Sequence, residues 1–351
     1  MLKAGRTQQG LGVGHRGGLA AAASLAALAL LVALAGFLSE QTASVRVAPR
    51  PFPAPLVQHF ENPAAAGRIL TIGYRQPSAL TVVQGRLFLL DTGNSRILEL
   101  GGAGAVVGVL DRSLDERLQA EGAVAMAGDG SYLYVAVARD SRVLVVEPGG
   151  RVVQAIELGA VEPAAGAPPR PIGLAVDGRG GLFVSDANSH RVLKLDSEGR
   201  EVWAAGNGRR GAGKEAFNTP GGLALDQAGN LYVVDILNGR VVKLSPDGAF
   251  LRQFGRLGDT AGTLSRPKDA AVDRAGNVYV SDSLLAAVQV FGPAGEYRGF
   301  IGREDPDDSH SRSLFQAPAG LEIVGDRLYV VDRFAGLFVF QLAADQTPPA
   351  D

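Results

Sequence analysis

The stretch "PIGLAVDGRGGLFVSDANSHRVLKL" (171–195) alternates short apolar runs with polar turns, a pattern that predicts three successive β-strands. Two later stretches align with it without gaps: "PGGLALDQAGNLYVVDILNGRVVKL" (220–244) and "PKDAAVDRAGNVYVSDSLLAAVQVF" (267–291). Weaker copies lie at 77–100, 122–146 and 318–340. The strong copies begin at residues 171, 220 and 267, so the period is about 48 residues, which is typical of propellers and solenoids.

The copy at 220–244 shows how one unit is built. Apolar residues 223–225 and 231–234 flank the turn "QAGN", whose Gly229 supplies the positive φ that a tight hairpin requires. A third strand is expected at 241–244 and a fourth at 250–254. Four short antiparallel strands cannot bury both of their faces alone, so neighbouring units must stack, and a closed ring leaves no open end. The sequence therefore predicts an all-β, six-bladed β-propeller in one domain.

Closure of the ring is predicted from the two ends of the repeat region. The last copy has only three strands before "AADQTPPAD", while an unassigned "RILTIGY" (68–74) precedes the first copy. We expect 68–74 to supply the outer strand of the last blade, which bounds the propeller at 68–342. The innermost strands begin with small residues in most copies, but the fifth copy places Lys268 and Asp269 at the channel mouth.

The pattern Pro-x-Gly-Leu-Ala-Val-Asp-x-x-Gly-x-Leu-Phe-Val-x-Asp, followed five residues later by Arg, resembles the NHL repeat, a six-bladed propeller family. The similarity covers about 68–342 and is strongest in the middle three copies. "GNGRRGAGKEAFNTPGGLAL" (206–225) is also similar to the Gly-rich entry into a blade of that family. The resemblance implies that each repeat begins with the outer strand of one blade, in agreement with the predicted closure.

An Asp ends the second strand and an Arg begins the third in three of the copies. These couples are Asp91 with Arg96, Asp186 with Arg191, and Asp235 with Arg240. Recurrence favours a structural ion pair across an exposed turn, contributing ~0.2–1 kcal/mol each, over a catalytic role. Ala287 and Leu337 take the Arg position in the last two copies, and His190 is expected to be an exposed turn residue.

The N-terminal part of the chain predicts export. Basic residues at 1–16 precede 17–38, an uncharged apolar run of 22 residues that is long enough for a transmembrane helix. "ALA" at 33–35 also fits a signal-peptide cleavage site, but the length of the run favours an uncleaved signal-anchor. Either alternative puts the rest of the chain outside the cytoplasm, on the periplasmic or extracellular face. A Pro-rich stalk is expected at 39–67 and a disordered tail at 343–351.

The amino-acid composition excludes some classes of binding partner and some kinds of site. The chain has 34 basic and 36 acidic residues, a net charge of −2, which offers no general attraction to nucleic acid. The absence of cysteine excludes disulfides, thiolate metal sites and a Cys nucleophile. The high Ala, Gly and Arg content is compatible with a bacterial source.

Two loops resemble ligand-binding motifs but lack residues that those motifs require. "GRRGAGKE" (208–215) approaches a phosphate loop, but Glu215 stands where a Ser or Thr should bind magnesium, so nucleotide binding is rejected. "REDPDDSH" (303–310) is acidic without the spacing of an EF-hand, so a solvated loop is favoured over weak calcium binding. The four histidines, His15, His59, His190 and His310, assemble no zinc trio. No cofactor, metal site or catalytic residue is predicted.

The connections between blades and the turns between second and third strands are expected to share one face, where binding surfaces usually lie. The candidate binding residues on that face are Arg209, Arg210, Lys214, Lys268, Asp269, Asp305, Asp307, Asp308, Arg333 and Phe334. Their mixed charge favours a protein partner, so we expect a binding or scaffolding module for another envelope or membrane protein, tethered through 17–38. The alternative, implied by the resemblance to enzymatic propellers, is a metal-dependent lyase or lactonase with a channel site.

Overall fold

Short apolar strands and tight turns build six four-stranded antiparallel sheets. The computed structural model describes residues 52–61, 73–160, 167–305 and 311–342. The first strand, β1 (Leu56–Glu61), precedes blade 1. The strands of blades 1 to 3 are β2 (Ala79–Val83), β3 (Arg86–Asp91), β4 (Arg96–Leu100), β5 (Val106–Leu110), β6 (Ala123–Gly128), β7 (Leu133–Val137), β8 (Arg142–Val146), β9 (Val152–Glu157), β10 (Pro171–Val176), β11 (Leu182–Asp186), β12 (Arg191–Leu195) and β13 (Glu201–Ala205).

Blades 4 to 6 follow the same order. Their strands are β14 (Pro220–Leu225), β15 (Leu231–Asp235), β16 (Arg240–Leu244), β17 (Phe250–Phe254), β18 (Pro267–Val272), β19 (Val278–Asp282), β20 (Ala287–Phe291), β21 (Tyr297–Ile301), β22 (Pro318–Val324), β23 (Arg327–Asp332) and β24 (Gly336–Gln341). Single 3₁₀ turns lie at Thr92–Asn94, Gly102–Gly104, Leu158–Ala160 and Ile236–Asn238. The described residues therefore confirm the predicted six-bladed propeller.

The first strand of every blade lies nearest the axis. β2, β6, β10, β14, β18 and β22 each contact the equivalent strand of the next blade, and β22 contacts β2, which closes the ring. Glycine lets these strands approach each other: a Cβ on Gly173 would lie 2.1 Å from the Gly221 carbonyl oxygen, and one on Gly320 would lie 2.6 Å from the Ser78 oxygen. The expected small residues around the axis are thus required by backbone contact.

The apolar core lies between successive blades. β15 is buried along its whole length because neighbouring blades cover both faces of its sheet. In one cluster, Phe183 of blade 3 packs with Leu223 and Val233 of blade 4. Another joins Leu89 of blade 1 to Leu337 of blade 6, so the junction where the ring closes is packed like the others.

The ring is closed by an N-terminal strand, as predicted, but a different segment supplies it. β1 pairs antiparallel with β24 and forms the outer strand of blade 6, with Phe60 opposite Leu337. His59 stacks on Phe338 with ring centroids 4.0 Å apart. Phe52 is buried, and its backbone N–H donates to the Phe300 oxygen at 2.7 Å. The propeller therefore begins by residue 52, and 52–61 does not belong to a stalk.

The physical reason for this correction is that proline bars strand pairing only at its own N–H. The Pro55 oxygen already accepts from the Gln341 N–H, and the strand starts at the next residue. Of the segment 68–74, expected to close the ring, residues 68–72 lie outside the described residues. Its last two residues contact blade 1, where Tyr74 is buried and the Gly73 oxygen accepts from the Arg96 side chain at 3.2 Å.

Several predicted segments lie outside the described residues: the cytoplasmic N-terminus at 1–16, the transmembrane helix at 17–38, the first part of the stalk and the tail at 343–351. Among the residues that are described, no helix combines the length and apolar character needed to span a membrane.

Candidate functional site

One face of the ring carries both sets of loops. The turns between second and third strands contact the connections that lead into the neighbouring blades: the Asn238 amide donates to the Gly211 oxygen at 2.8 Å, and the Ser313 hydroxyl donates to the Ala286 oxygen at 2.6 Å. We call this surface the loop face. Because both sets of loops are hydrogen-bonded to each other, the loop face is a fixed surface on a rigid scaffold.

The three predicted Asp–Arg couples each span the turn between the second and third strands of a blade. The Arg Nε to Asp Oδ2 distances are 2.8 Å for Arg96 to Asp91, 3.3 Å for Arg191 to Asp186 and 2.8 Å for Arg240 to Asp235. The expectation of exposed pairs is wrong, because the three Asp side chains are fully buried and the Arg191 and Arg240 side chains are 8% and 5% exposed. Removing one partner of such a buried pair destabilises the fold far more than removing one partner of an exposed pair.

Backbone donors are the common feature of these Asp residues, which we call the turn carboxyls. Asp186 accepts from the N–H of Arg170 at 2.9 Å, and Asp235 accepts from the N–H of Asn218 at 2.7 Å, so each ties the incoming connection to its blade. Asp332, which has no arginine, accepts four backbone N–H groups between 2.7 and 2.9 Å. The residue opposite Asp332 is Gly336, not Leu337, because this turn is one residue shorter.

His190 also has a structural contact. It is half-buried at φ 49°, and its Nδ1 accepts the Thr219 N–H at 3.1 Å. The expectation of an exposed turn residue is therefore wrong, because the imidazole of His190 connects the turn of blade 3 to the entry of blade 4.

Three cations surround the channel where it opens on the loop face. Arg170, Lys268 and Arg333, which we call the basic mouth, line one cavity of about 240 Å³ together with the starts of the inner strands. Burial, and then the charges of Arg333 and Arg266, lower the pKa of Lys268. The Arg333 Nε is buried without a hydrogen-bond partner. Lys268 and Asp269, the charged residues expected at the channel mouth, both line this cavity.

Asp269 and Glu322, which we call the channel carboxyls, are the charged residues that line the adjoining cavity, which has a volume of about 210 Å³. Asp269 also lines the cavity at the mouth. Asp269 accepts the N–H of Leu321 and of Ala270, both at 2.9 Å. Desolvation still raises the pKa of Asp269 to about 7, against these two bonds. Desolvation and then the charge of Asp269 raise the pKa of Glu322 to about 8.

Exposed apolar side chains occupy the loop face of blades 4 to 6. We call this set the apolar row: Leu237, Leu257, Leu284, Leu314 and Phe334, which are between 47% and 62% exposed. Leu237, Leu284 and Phe334 lie in the turns of three successive blades. The loops that carry the other two adjoin these turns, because a Cβ on Gly239 would lie 2.5 Å from the Leu257 Cα and Ser313 bonds to Ala286.

The repeat signature is matched by comparison with known families. A family model of the NHL repeat matches residues 169–195, which include most of blade 3. The chain is an NHL-repeat six-bladed β-propeller. No curated protein matches it in sequence.

Solved structures with the same fold as this NHL propeller include two enzymes. Virginiamycin B lyase from Staphylococcus aureus is 12% identical, with 78% of this chain and 97% of that chain covered and a TM-score of 0.54. A gluconolactonase from Xanthomonas campestris is 18% identical over 85% and 99%, with a TM-score of 0.56. A protein of unknown function from Bacteroides thetaiotaomicron is 14% identical over 82% and 75%, with a TM-score of 0.61. At these identities the likeness shows the fold alone.

The candidate binding residues fall into separate places on the NHL propeller. Arg209 and Arg210 are exposed in the connection from blade 3 to blade 4, while the Lys214 Nζ lies 5.6 Å from the ring centroid of Phe250, away from the channel. Asp305 is exposed and bonds to Ser311. Asp307, Asp308 and His310 lie outside the described residues. Asp269 lines both the cavity at the mouth and the cavity below it.

The connection at 208–215 is held in place by Arg240. The guanidinium donates to the carbonyl oxygens of Ala212, Gly213 and Ala216 at 2.6, 3.0 and 2.8 Å. The same buried arginine that pairs with a turn carboxyl therefore fixes the loop that presents Arg209 and Arg210.

Sequence reasoning missed Glu322, although a signal was present. At the equivalent register position of the inner strand, the other copies carry small residues: Thr81, Ala127, Ala175, Ala224 and Ala271. Glu322 therefore departs from the repeat at this position. Asp269 departs from it in the same way, because Gly173, Gly222 and Gly320 occupy the equivalent position in other copies. Residues that depart from a repeat mark candidate sites more clearly than residues that follow it.

The channel does not match a metal centre. Within the described ranges, no three His, Cys, Asp or Glu side chains come close enough to hold one ion. The channel offers two carboxyls, and of the two described histidines His59 lies on the outer strand and His190 in a turn. This donor set does not fit the three protein ligands of a catalytic zinc site.

Proposed function

We propose that the protein is a membrane-tethered, extracytoplasmic NHL propeller that acts as a protein-binding or scaffolding module. Its partner is another protein of the envelope or the membrane. The tether is the apolar segment 17–38, and the charge preceding it directs the propeller out of the cytoplasm.

The observation that carries this proposal is the apolar row. Five large apolar side chains on turns and loops of three adjacent blades form a surface that water solvates poorly. Exposed apolar groups grouped on one face and bordered by polar residues are typical of protein interfaces. Arg209 and Arg210, on the next connection, supply a polar border, since the same face continues across blade 4.

Rigidity supports the same function. The loops that carry the apolar row are anchored by hydrogen bonds, such as the half-buried 2.5 Å bond from Arg303 Nη1 to the Leu285 oxygen. A preorganised surface loses little conformational entropy on binding, so more of the contact energy appears as affinity.

Site-specific photocrosslinking in native membranes tests this proposal. A photoreactive residue replaces Leu284 or Phe334 in the full-length chain, and the matched control replaces Val202, which is 57% exposed on the outer strand of blade 3. We expect an adduct of one defined mass at 284 and 334 and none at 202. Adducts of equal yield at all three positions, or adducts only with lipid, would contradict the proposal.

The alternative is a metal-dependent lyase or lactonase with a channel site. The lyase and the gluconolactonase among the fold neighbours favour it, whereas the channel donor set does not. Elemental analysis of the purified, dialysed protein separates the two. Stoichiometric zinc or calcium would support the enzyme, and its loss in Glu322→Gln would place the metal in the channel.

A further inference from the structure

The basic mouth and the channel carboxyls face the same continuous space. The cavity at the mouth and the cavity below it share Asp269, Leu174 and Met126 in their linings. Together they offer about 240 Å³ and about 210 Å³, enough for a small organic molecule. The basic mouth therefore lines the first cavity and Glu322 the second, while Asp269 lines both.

These opposite charges do not neutralise each other. Among the described residues, neither Lys268 nor Arg333 forms an ion pair with Asp269 or Glu322, and the Glu322 carboxyl has no hydrogen-bond partner. The Arg333 Nε is likewise buried without an acceptor. Glu322 is half-buried and the Arg333 Nε is fully buried. Desolvated polar groups without partners cost stability, and in a native protein such groups are typical of a functional site.

We infer that the channel binds a small, extended zwitterion, with its carboxylate at the basic mouth and its ammonium at the channel carboxyls. The ammonium completes the coordination of Glu322, and the carboxylate accepts from Lys268 and Arg333. Between the two ends the inner strands form the wall, and small residues such as Ala224 and Ala271 leave room there for the alkyl part of the ligand. This site is separate from the apolar row and does not depend on protein binding there.

The positions of the charges set the length of the ligand. Lys268 is the second residue of its inner strand and Glu322 the fifth residue of the next one, but the β-bulge between Pro267 and Ala270 takes up one residue, so they differ by about two steps along the axis. At a rise of ~3.3 Å per residue, this difference is about 7 Å. An ω-amino acid with four to six carbons fits this separation, whereas glycine is too short to contact both ends.

Proton release is a second consequence. The charged groups lining the two cavities are the basic mouth and the channel carboxyls, and the remaining inner strands contribute none. Because the pKa values of Asp269 and Glu322 are raised to about 7 and about 8, an ammonium that favours their ionised forms displaces protons on binding. Affinity therefore increases as pH rises from about 6 to about 8.

Isothermal titration calorimetry on the full-length protein tests the site with defined probes: glycine, 4-aminobutanoate, 5-aminopentanoate and 6-aminohexanoate. Pentanoate and pentylammonium serve as single-ended controls. We expect the longer zwitterions to bind at least about tenfold more tightly than either control and than glycine. Titration in buffers of different ionisation enthalpy should show protons released on binding.

Substitutions test which residues bind each end of the ligand. Glu322→Gln and Lys268→Met should each weaken 5-aminopentanoate by at least about tenfold, while Lys214→Met, a cation remote from the channel, should not change it. If Glu322→Gln fails to fold, Lys268→Met and proton release in the unaltered protein still test the assignment. Equal binding of pentanoate and 5-aminopentanoate, or no binding of any zwitterion at about 10 mM, would overturn the inference.

Discussion

The turn carboxyls are fully buried and the channel carboxyls are half-buried, and the two sets differ in their hydrogen-bond donors. Asp332 accepts four backbone N–H groups, whereas Glu322 accepts none and Asp269 accepts two. Burial of a carboxylate is offset by donors in the first set and is largely uncompensated in the second. The difference teaches that the turn carboxyls stabilise the blades, while the channel carboxyls cost stability and are retained for another role.

The largest loss of stability is expected when a turn carboxyl is replaced. Asp235→Asn leaves the Arg240 guanidinium buried without its carboxylate, so the free energy of unfolding should fall by about 3–5 kcal/mol. Urea denaturation followed by fluorescence of the single tryptophan, Trp203, measures the change. The same exchange at Glu322 should cost far less at pH 8. Equal losses in the two variants would remove the distinction between the two sets.

The arginines that pair with the turn carboxyls are expected to differ in their contribution to stability. Arg240→Met should lower the free energy of unfolding by about 2–3 kcal/mol, because the arginine also bonds to three loop carbonyls. Arg191→Met should cost only about 1 kcal/mol, since its Nη2 has no partner and Asp186 keeps its backbone donors. Indistinguishable urea midpoints for the two variants would show that the loop bonds of Arg240 contribute little.

The smallest effect is expected at the border of the loop face. Arg209→Ser combined with Arg210→Ser should change the free energy of unfolding by less than about 0.5 kcal/mol, since both side chains are exposed. Thermal unfolding of the double variant beside the parent protein checks this. A loss above about 1 kcal/mol would show that these arginines hold the connection in place.

Local signals made most of the fold predictable. The turn glycines and the Asp that ends five of the six second strands act within a few residues, and their recurrence at a fixed period made six blades predictable from the sequence. The closing strand was misplaced because β1 and β24 pair across almost the whole chain, and no local pattern in "LVQHFE" names its partner.

The candidate site was predicted only in part. Lys268 was recognised because it breaks the repeat, but the burial of Asp269 and Glu322 depends on how six strands meet around the axis. The apolar row was equally hidden: Leu284 is 62% exposed while the adjacent Leu285 is 4% exposed, and the sequence does not distinguish them. Exposure of this kind is decided by the course of the loop, which the Arg303 contact to the Leu285 oxygen fixes.

The central claim, that channel carboxyls cost stability, is tested most directly by the pH dependence of unfolding in Glu322→Gln. Burial raises the pKa of Glu322 from an ordinary value near 4.5 to about 8, so between these values the folded protein holds more protons than the unfolded chain. Its free energy of unfolding should therefore fall as pH rises from about 5 to about 8. The variant should lose part of this slope, while Glu215→Gln, on an exposed loop, should keep it. Parallel curves for the parent and Glu322→Gln would contradict the account.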